Sequence, residues 1–487
     1  MTPPATSATN GPDPLVPDTA ADPHARLTFD LDVDLCVIGA GLAGLSVALE
    51  AAQQGLSVAV LEARRVGWGA SGATLGSVMP GYGVPVGDLI ERIGLAHTRD
   101  LWALSREGMA IVAERASEEA MPGIALTAGA LEVSNVDLGD RLIERLQTLG
   151  VDFGTEVEGW QIDRVRDTLR TDRYFHAIHF PDAFQLDGRR YIRGLEAMAR
   201  RAGVRIFEDT PALGIDFSGI RKRIATPHAR LRASDIVLAG NVDLGAPSPR
   251  LTATLLPMWR AAALTAPLGE RLAEAIAFPG SITDTDGVDH YRIVGGDRLL
   301  WTGPETTFPV APKRLEGLIR RRIAALYPQL GAVAIAQSWS GAIGQTVHGM
   351  PQIGELRRGL WVASGFGRQG LATTAIAGRL IAQGIVHGDQ RWRLFDPFEL
   401  VWAGGRIGRV VGQGVSIVER RAAMTAGLLA RYRERAAARS RLREERLEAA
   451  NSRVRVNRGQ RPAAAAPQDR GEPGAQDARR NEPGMIE

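Results

Sequence analysis

The chain has a single cysteine, Cys36, among 487 residues. An internal disulfide is therefore excluded, and so is a metal centre built on cysteine thiolates. Cys36 lies in an apolar run and reads as a buried, inert thiol. Lysine is almost missing too: only Lys222 and Lys313 occur, so 56 of the 58 basic residues are arginine. That bias reflects a GC-rich genome more than a partner. No stretch reaches the roughly 18 consecutive apolar residues that a bilayer-spanning helix needs. The first 30 residues have neither a basic start nor an apolar stretch of signal-peptide length, which predicts a cytoplasmic protein. Internal repeats are missing as well. The formal net charge is +3, yet residues 431–487 alone hold 14 arginines against 9 acids, so the first 430 residues are slightly acidic. A uniformly basic surface is thus absent, and no nucleic-acid partner is expected.

What is present, from Val33 to about Pro397, is an alternation of short aliphatic runs with amphipathic segments, the pattern of a mixed α and β chain. "DRLIERLQTLG" (140–150) and "RRYIRGLEAMARRAG" (189–203) space apolar residues by three and four and stop at glycine, which predicts helices. "VRIFED" and "ASDIVLAG" predict strands, and "HYRIVGGDRLLWTG" (290–303) predicts a hairpin turning at Gly295-Gly296-Asp297. Residues 1–30 and 451–487 are of low complexity and are expected to be unstructured.

The most informative stretch is "VDLCVIGAGLAGLSVALEAAQQGLSVAVLE". A buried-strand pattern runs into Gly39-Ala40-Gly41-Leu42-Ala43-Gly44 and then into a helix. Gly39 permits the tight turn, Gly41 lets a pyrophosphate approach the backbone, and Gly44 lets helix and strand pack closely. The helix N-terminus offers free N–H groups and a positive dipole end to phosphate. A second strand ends at Glu62, 18 residues beyond Gly44, where a carboxylate accepts hydrogen bonds from ribose hydroxyls. The acid favours a free 2′-hydroxyl over a 2′-phosphate. Strand, glycine triad, helix, strand and acid together predict a Rossmann-like dinucleotide site, and leave NAD and FAD both open.

Directly after Glu62, "ARRVGWGASGATLG" resembles the second phosphate-contact segment of the D-amino-acid oxidase-like FAD-dependent oxidoreductases. Within them "GWGASG" is most similar to the gamma-glutamylputrescine oxidase-like branch. Three later segments agree in order: "LRASDIVLAGN" (231–241), "DHYRIVGGDRLLWTG", and "WSGAIGQTVHGMPQIGELRRGLWVASGFGRQGLATTAIAGRLIA" (339–382). The resemblance spans about residues 31–400. It implies non-covalent FAD, held at Gly39–Gly44, at Glu62, Ala63 and Arg64, at Gly69, Ala70 and Ser71, at Gly240, and at a closing loop of Gly365, Gly367, Gly370 and Leu371. It also implies an amine or amino-acid substrate oxidised at its C–N bond by hydride transfer to flavin N5, giving an imine that hydrolyses. The electron acceptor implied is O2 or a quinone. Alternatives are a flavin-binding protein with altered or lost activity, or a membrane-surface amine dehydrogenase feeding a quinone.

The implied fold has a discontinuous FAD-binding domain (31–95, 190–250 and 340–390) interleaved with an antiparallel-sheet substrate domain (96–189 and 251–339). A helical extension (391–450) follows. Two departures from the branch stand out: Ala73-Thr74-Leu75-Gly76 where Arg-Asn-Gly-Gly is usual, and Arg368 or Gln369 where a histidine is usual. Gly295 occupies the hairpin position expected for a carboxylate-clamping arginine, which favours an amine without an α-carboxylate. Candidates for contact with substrate are Tyr291, Arg292 and His348, with Arg298 close by and Trp259, Trp301 and Trp339 as an aromatic cage. Each has a packing or surface role as its plain alternative. No metal site is expected. In the extension, Val410, Val411, Val415, Val418 and Ala422 with Arg406, Arg409, Arg420 and Arg421 predict an amphipathic helix, packed on its own domain or lying on an anionic membrane.

Overall fold

The computed structural model describes residues 26–285, 289–309 and 311–459. The described chain divides at Ala430 and Arg431 into two compact units. The first unit is built on two sheets.

In the first sheet five strands run parallel, in the order Arg205–Phe207, Val58–Leu61, Leu31–Ile38, Arg230–Leu238 and Leu360–Ser364. Gln352–Arg357 pairs antiparallel at one edge, and Gly214–Asp216 with Lys222–Ala225 forms a small flap on Arg230–Leu238. Leu35, Cys36 and Val37 have no exposure, as expected of a strand covered on both faces. Burial pushes the Cys36 thiol far above its ordinary range, so it is inert.

Helices Leu42–Gln53, Leu95–Arg115 and Gly370–His387 cover one face, and glycine sets their spacing. A Cβ on Gly378 would lie 2.7 Å from the Ser46 backbone, and one on Gly108 2.2 Å from the Ala372 carbonyl oxygen. Arg115 bonds Glu50 at 2.6 Å across this contact.

The second sheet has the order Ile335–Thr346, Leu255–Thr265, Arg298–Thr302, His290–Val294, Ser281–Asp284, Thr127–Ser134, His176–Gln185 and Ser77–Val78, with Glu158–Trp160 beside His176–Gln185. It is antiparallel except where Ser281–Asp284 meets Thr127–Ser134. Its separate core centres on Tyr174, Tyr291, Trp301 and Tyr327. The architecture is the mixed α and β fold that the alternation predicts, and the 290–303 hairpin turns at Gly295-Gly296 with φ of 62° and 81°.

The ends differ from expectation. Residues 26–30 are already held: Leu27 is buried, its N–H bonds Thr210, and Asp30 accepts from Arg230 N–H. One helix, Gly405–Gly459, runs past residue 450. The remainder of both low-complexity ends lies outside the described residues.

Candidate active site

The Gly39–Gly44 turn is fixed by backbone approaches that a side chain would block. A Cβ on Gly39, at φ 109°, would lie 2.7 Å from the Ala239 carbonyl oxygen, and one on Gly44 only 1.9 Å from the Gly39 carbonyl oxygen. Gly41, the N-cap residue of the helix Leu42–Gln53, supplies no side-chain cap of its own. Glu62 is drawn into the turn: its two oxygens accept from Ala40 N–H and Arg64 N–H, each at 2.8 Å. Burial raises its pKa, and those two hydrogen bonds oppose the rise. A carboxylate has about four acceptor positions, so lone pairs remain for a ribose.

The segment after Glu62 folds back over the helix end. Ser71 accepts from Leu42 N–H at 2.9 Å, and a Cβ on Gly41 would sit 2.9 Å from Ser71 Oγ. The closing loop supplies a second helix N-terminus, at Gly370–His387, whose N-cap residue makes no side-chain cap; it is entered through Gly365 and Gly367, both at positive φ.

A cavity of about 1270 Å³ joins these elements. Its walls include Gly41, Leu42, Ala43, Ala70 and Ser71 from the first turn, and Gly367, Arg368 and Gly370 from the closing loop. Gly39, Ala40, Gly44, Glu62, Ala63, Arg64, Gly69, Gly240, Gly365 and Leu371 are not among the residues that line it. Gly240 is needed for its turn, because a Cβ there would lie 2.9 Å from the Leu244 backbone.

Two features of the cavity went unread in the sequence. Asn241 adopts a left-handed φ of 49° and accepts from Gly365 N–H at 3.4 Å, tying the two turns together. Gly344 makes room for it, since a Cβ there would lie 2.1 Å from Asn241 Oδ1. Asparagine is among the residues that tolerate this conformation, and glycines inside the strand Ile335–Thr346 mark a close backbone approach.

The second feature is a charged cluster. Arg260 is deeply buried, its Nε has no hydrogen-bond partner, and it pairs with Glu305 at 3.8 Å. Glu305 is already engaged by Arg368 through two bonds, of 2.9 and 3.0 Å. Burial lowers the Arg260 pKa against the pull of Glu305, whereas the Glu305 charge raises that of Arg368. Beside them Asp289 is held by both Arg322 and Trp301, and Asp284 lines the cavity. His290, also a wall residue, bonds Thr283 Oγ1 through Nδ1 at 2.6 Å, and its Nε2 is unpartnered. Burial, reinforced by Arg260, Arg292 and Arg368, holds its pKa down at about 3, so it is neutral near pH 7. One arginine inside the apolar run "LLPMWRAAALT" was the available signal for Arg260.

The residues named in advance for substrate contact are not brought to these walls. Tyr291 stacks on Trp301 at 4.1 Å and bonds the hydroxyls of Tyr174 and Tyr327 in the core. Arg292 is buried against the Leu186 carbonyl, 3.0 Å away, and burial lowers its pKa to about 10. His348 is engaged by Thr346 and the Met350 N–H, and burial lowers its pKa. Arg298 reaches Asp297 at 4.0 Å. Trp259, Trp301 and Trp339 do not line the cavity and form no cage there. Both lysines are also elsewhere: Lys222 bonds the Ser234 carbonyl, and Lys313 is exposed on Pro312–Leu326. Among the described residues no cluster of potential metal ligands occurs.

The chain is 29% identical over 382 residues to the probable oxidoreductase OrdL of Haemophilus influenzae, covering 77% of this chain and 88% of the relative. It is 29% identical over 398 residues to the gamma-glutamylputrescine oxidoreductase of Escherichia coli, covering 80% and 92%. In fold it is similar to glycine oxidase from Geobacillus kaustophilus, with a TM-score of 0.64 at 22% identity over 76% of this chain and 99% of that one. The profile of the FAD dependent oxidoreductase (DAO) family matches residues 34–384, and the chain belongs to that family of FAD-dependent enzymes.

Proposed function

We propose that the protein oxidises the C–N bond of a small amine that also carries a carboxylate. The observation that carries this reading is Arg260, a buried cation on the cavity wall that reaches Glu305 only at 3.8 Å, while the same carboxylate makes two shorter bonds to Arg368. Glu305 is committed to Arg368, so an incoming carboxylate completes the coordination of Arg260 at little further desolvation cost. This moves the substrate class away from the carboxylate-free amine suggested by Gly295: the arginine comes from the strand Leu255–Thr265 instead of the hairpin.

The Gly39–Gly44 turn, Glu62, Ser71 and the closing loop Gly365–Leu371 would hold FAD, whose flavin supplies a two-electron acceptor when bound. What the chain supplies is position, charge and exclusion of water. The N-terminus of Gly370–His387 presents a positive dipole end to the cavity. Asp284 offers a carboxylate to an approaching ammonium group, and neutral His290 adds no competing charge. The nucleotide half is assigned to 31–95, 190–250 and 340–390 and the substrate half to 96–189 and 251–339, with Ser77–Val78 crossing into the substrate sheet.

Anaerobic addition of amines to the flavin-loaded protein tests this reading. Bleaching of the flavin band by N-alkyl or α-amino acids, and not by the corresponding plain amines, is expected. Equal bleaching by both classes removes the role of Arg260, and bleaching by neither removes the proposed reaction. Oxygen uptake set against quinone reduction then identifies the acceptor.

A further inference from the structure

The cavity follows a single register row across the second sheet. Ala262 pairs with Thr302, Thr302 with His290, His290 with Thr283 and Thr283 with Glu132, and all five line the cavity. Paired residues share a face of the sheet, so the row forms a continuous floor. Phe180 carries it one strand further, because it pairs with Ala130, two residues from Glu132, and lines the cavity as well. At the other end Arg260, two residues from Ala262, stands on the same face, and its charge acts on His290. From His290 to Phe180 is three strand spacings, about 14 Å. An extended alkyl chain needs about ten carbon atoms to cover that length, at roughly 1.3 Å each. An α-amino acid with a short side chain would fill only the end nearest Arg260.

We propose that the arm of the cavity beyond Thr283 is a second subsite, which takes a linear apolar substituent of the amine substrate. Its wall is one apolar cluster. Trp102, Leu149 and Phe180 are buried members of that cluster, Met79, Val86 and Ile90 pack against it half-buried, and all six border the cavity. The turn Gly39–Gly44, Ser71 and the closing loop contribute nothing to it. Glu132, the charged residue of the floor here, is neutralised by Arg145 at 2.5 Å. The arm reaches solvent between the helices Val86–Ile93 and Asp140–Gln147, where the exposed Asp88, Glu91, Arg141 and Glu144 border it. Each methylene laid against this wall leaves water for apolar contact, whereas a charged group would lose its hydration and find Glu132 already paired. That difference selects an apolar substituent. The inference rests on the proposed substrate class only for the anchored end: Arg260 fixes the carboxylate, and the arm takes the rest.

Unreactive ligands test it without turnover. Straight-chain carboxylates from acetate to decanoate are titrated into the full-length, flavin-loaded protein by calorimetry. Kd should fall by about two- to fourfold for each methylene beyond butyrate and level off near ten carbons. Ile90→Trp and, separately, Val86→Trp fill the arm and should flatten that dependence. The readout is the ratio of decanoate to butyrate affinity, which a weakened carboxylate anchor would not move, and retained flavin absorbance shows that each variant is folded. Straight-chain amines of the same lengths separate this inference from the substrate class it rests on. Equal affinity for amine and carboxylate at each length, with the same gain per methylene, removes the role of Arg260 and leaves the arm standing. Affinity that does not change from butyrate to decanoate overturns the proposal, and so does a length dependence that both tryptophan variants leave intact.

Discussion

Substituting alanine at two glycines should move stability in opposite directions. At Gly44 a Cβ would sit 1.9 Å from the Gly39 carbonyl oxygen and 3.2 Å from Val37 Cγ1. A carbon needs roughly 3.3 Å from a carbonyl oxygen, so the start of the helix Leu42–Gln53 would have to retreat by roughly 1.4 Å. It has nowhere to go, because its far side meets Gly378 at the Ser46 backbone. Overpacking of this kind costs about 1–3 kcal/mol. The displaced N–H groups also lose their alignment on a bound phosphate, which should weaken FAD by about 10–100-fold. Gly317, in the helix Pro312–Leu326, has nothing within 4 Å of its notional Cβ. There alanine should stabilise by about 1 kcal/mol through helix propensity. Urea unfolding followed by circular dichroism reads both signs, and flavin fluorescence on dilution reads FAD affinity. If Gly44→Ala unfolds with the wild type and keeps its flavin, the close approach of turn and helix is not what shapes the cradle.

Further outcomes follow from the charged cluster. Arg260→Met should raise KM for a carboxylate-bearing amine by about 10–100-fold in steady-state kinetics, with a smaller change in kcat, because a charge-assisted bond contributes roughly 1.5–3 kcal/mol. Glu305→Gln should release Arg368 and leave two uncompensated arginines, lowering stability in urea by more than Arg368→Met does. His290 is neutral in the fold, with a pKa of about 3, and titrates in the unfolded chain near 6.5. Its share of stability is therefore complete above pH 6.5 and is lost as the pH falls towards 3, a change of roughly 3–5 kcal/mol. The urea midpoint of His290→Gln should accordingly depend less on pH across that window than the wild type's does.

The parts of the fold that announce themselves in the sequence are local. The strand Leu31–Ile38, the glycine turn, the helix Leu42–Gln53 and the strand ending before Glu62 form one continuous unit with its own periodicity. The closing strand Leu360–Ser364 and the helix after it are readable for the same reason. The substrate wall is different in kind. Arg260, Asp284 and His290 come from separate strands that only register in the second sheet brings together, and Arg368 joins them from the closing loop with Glu305 bound to it. Tyr291 and Arg292 flank the hairpin turn that drew attention to them, yet the first enters the core and the second turns to Leu186. Alternation along a strand says that neighbours face opposite ways but not which face meets the cavity. Asn241 shows the same limit, since its role depends on Gly344 and Gly365, more than 100 residues away.

The most direct test of the account is the rate at which an amino acid reduces the bound flavin under anaerobic conditions, compared with its decarboxylated amine, in the wild type and in Arg260→Met. The wild type should discriminate strongly in favour of the carboxylate, and the variant should lose most of that discrimination while keeping its flavin. Discrimination that survives in Arg260→Met, or that favours the plain amine in the wild type, would contradict the proposed substrate class.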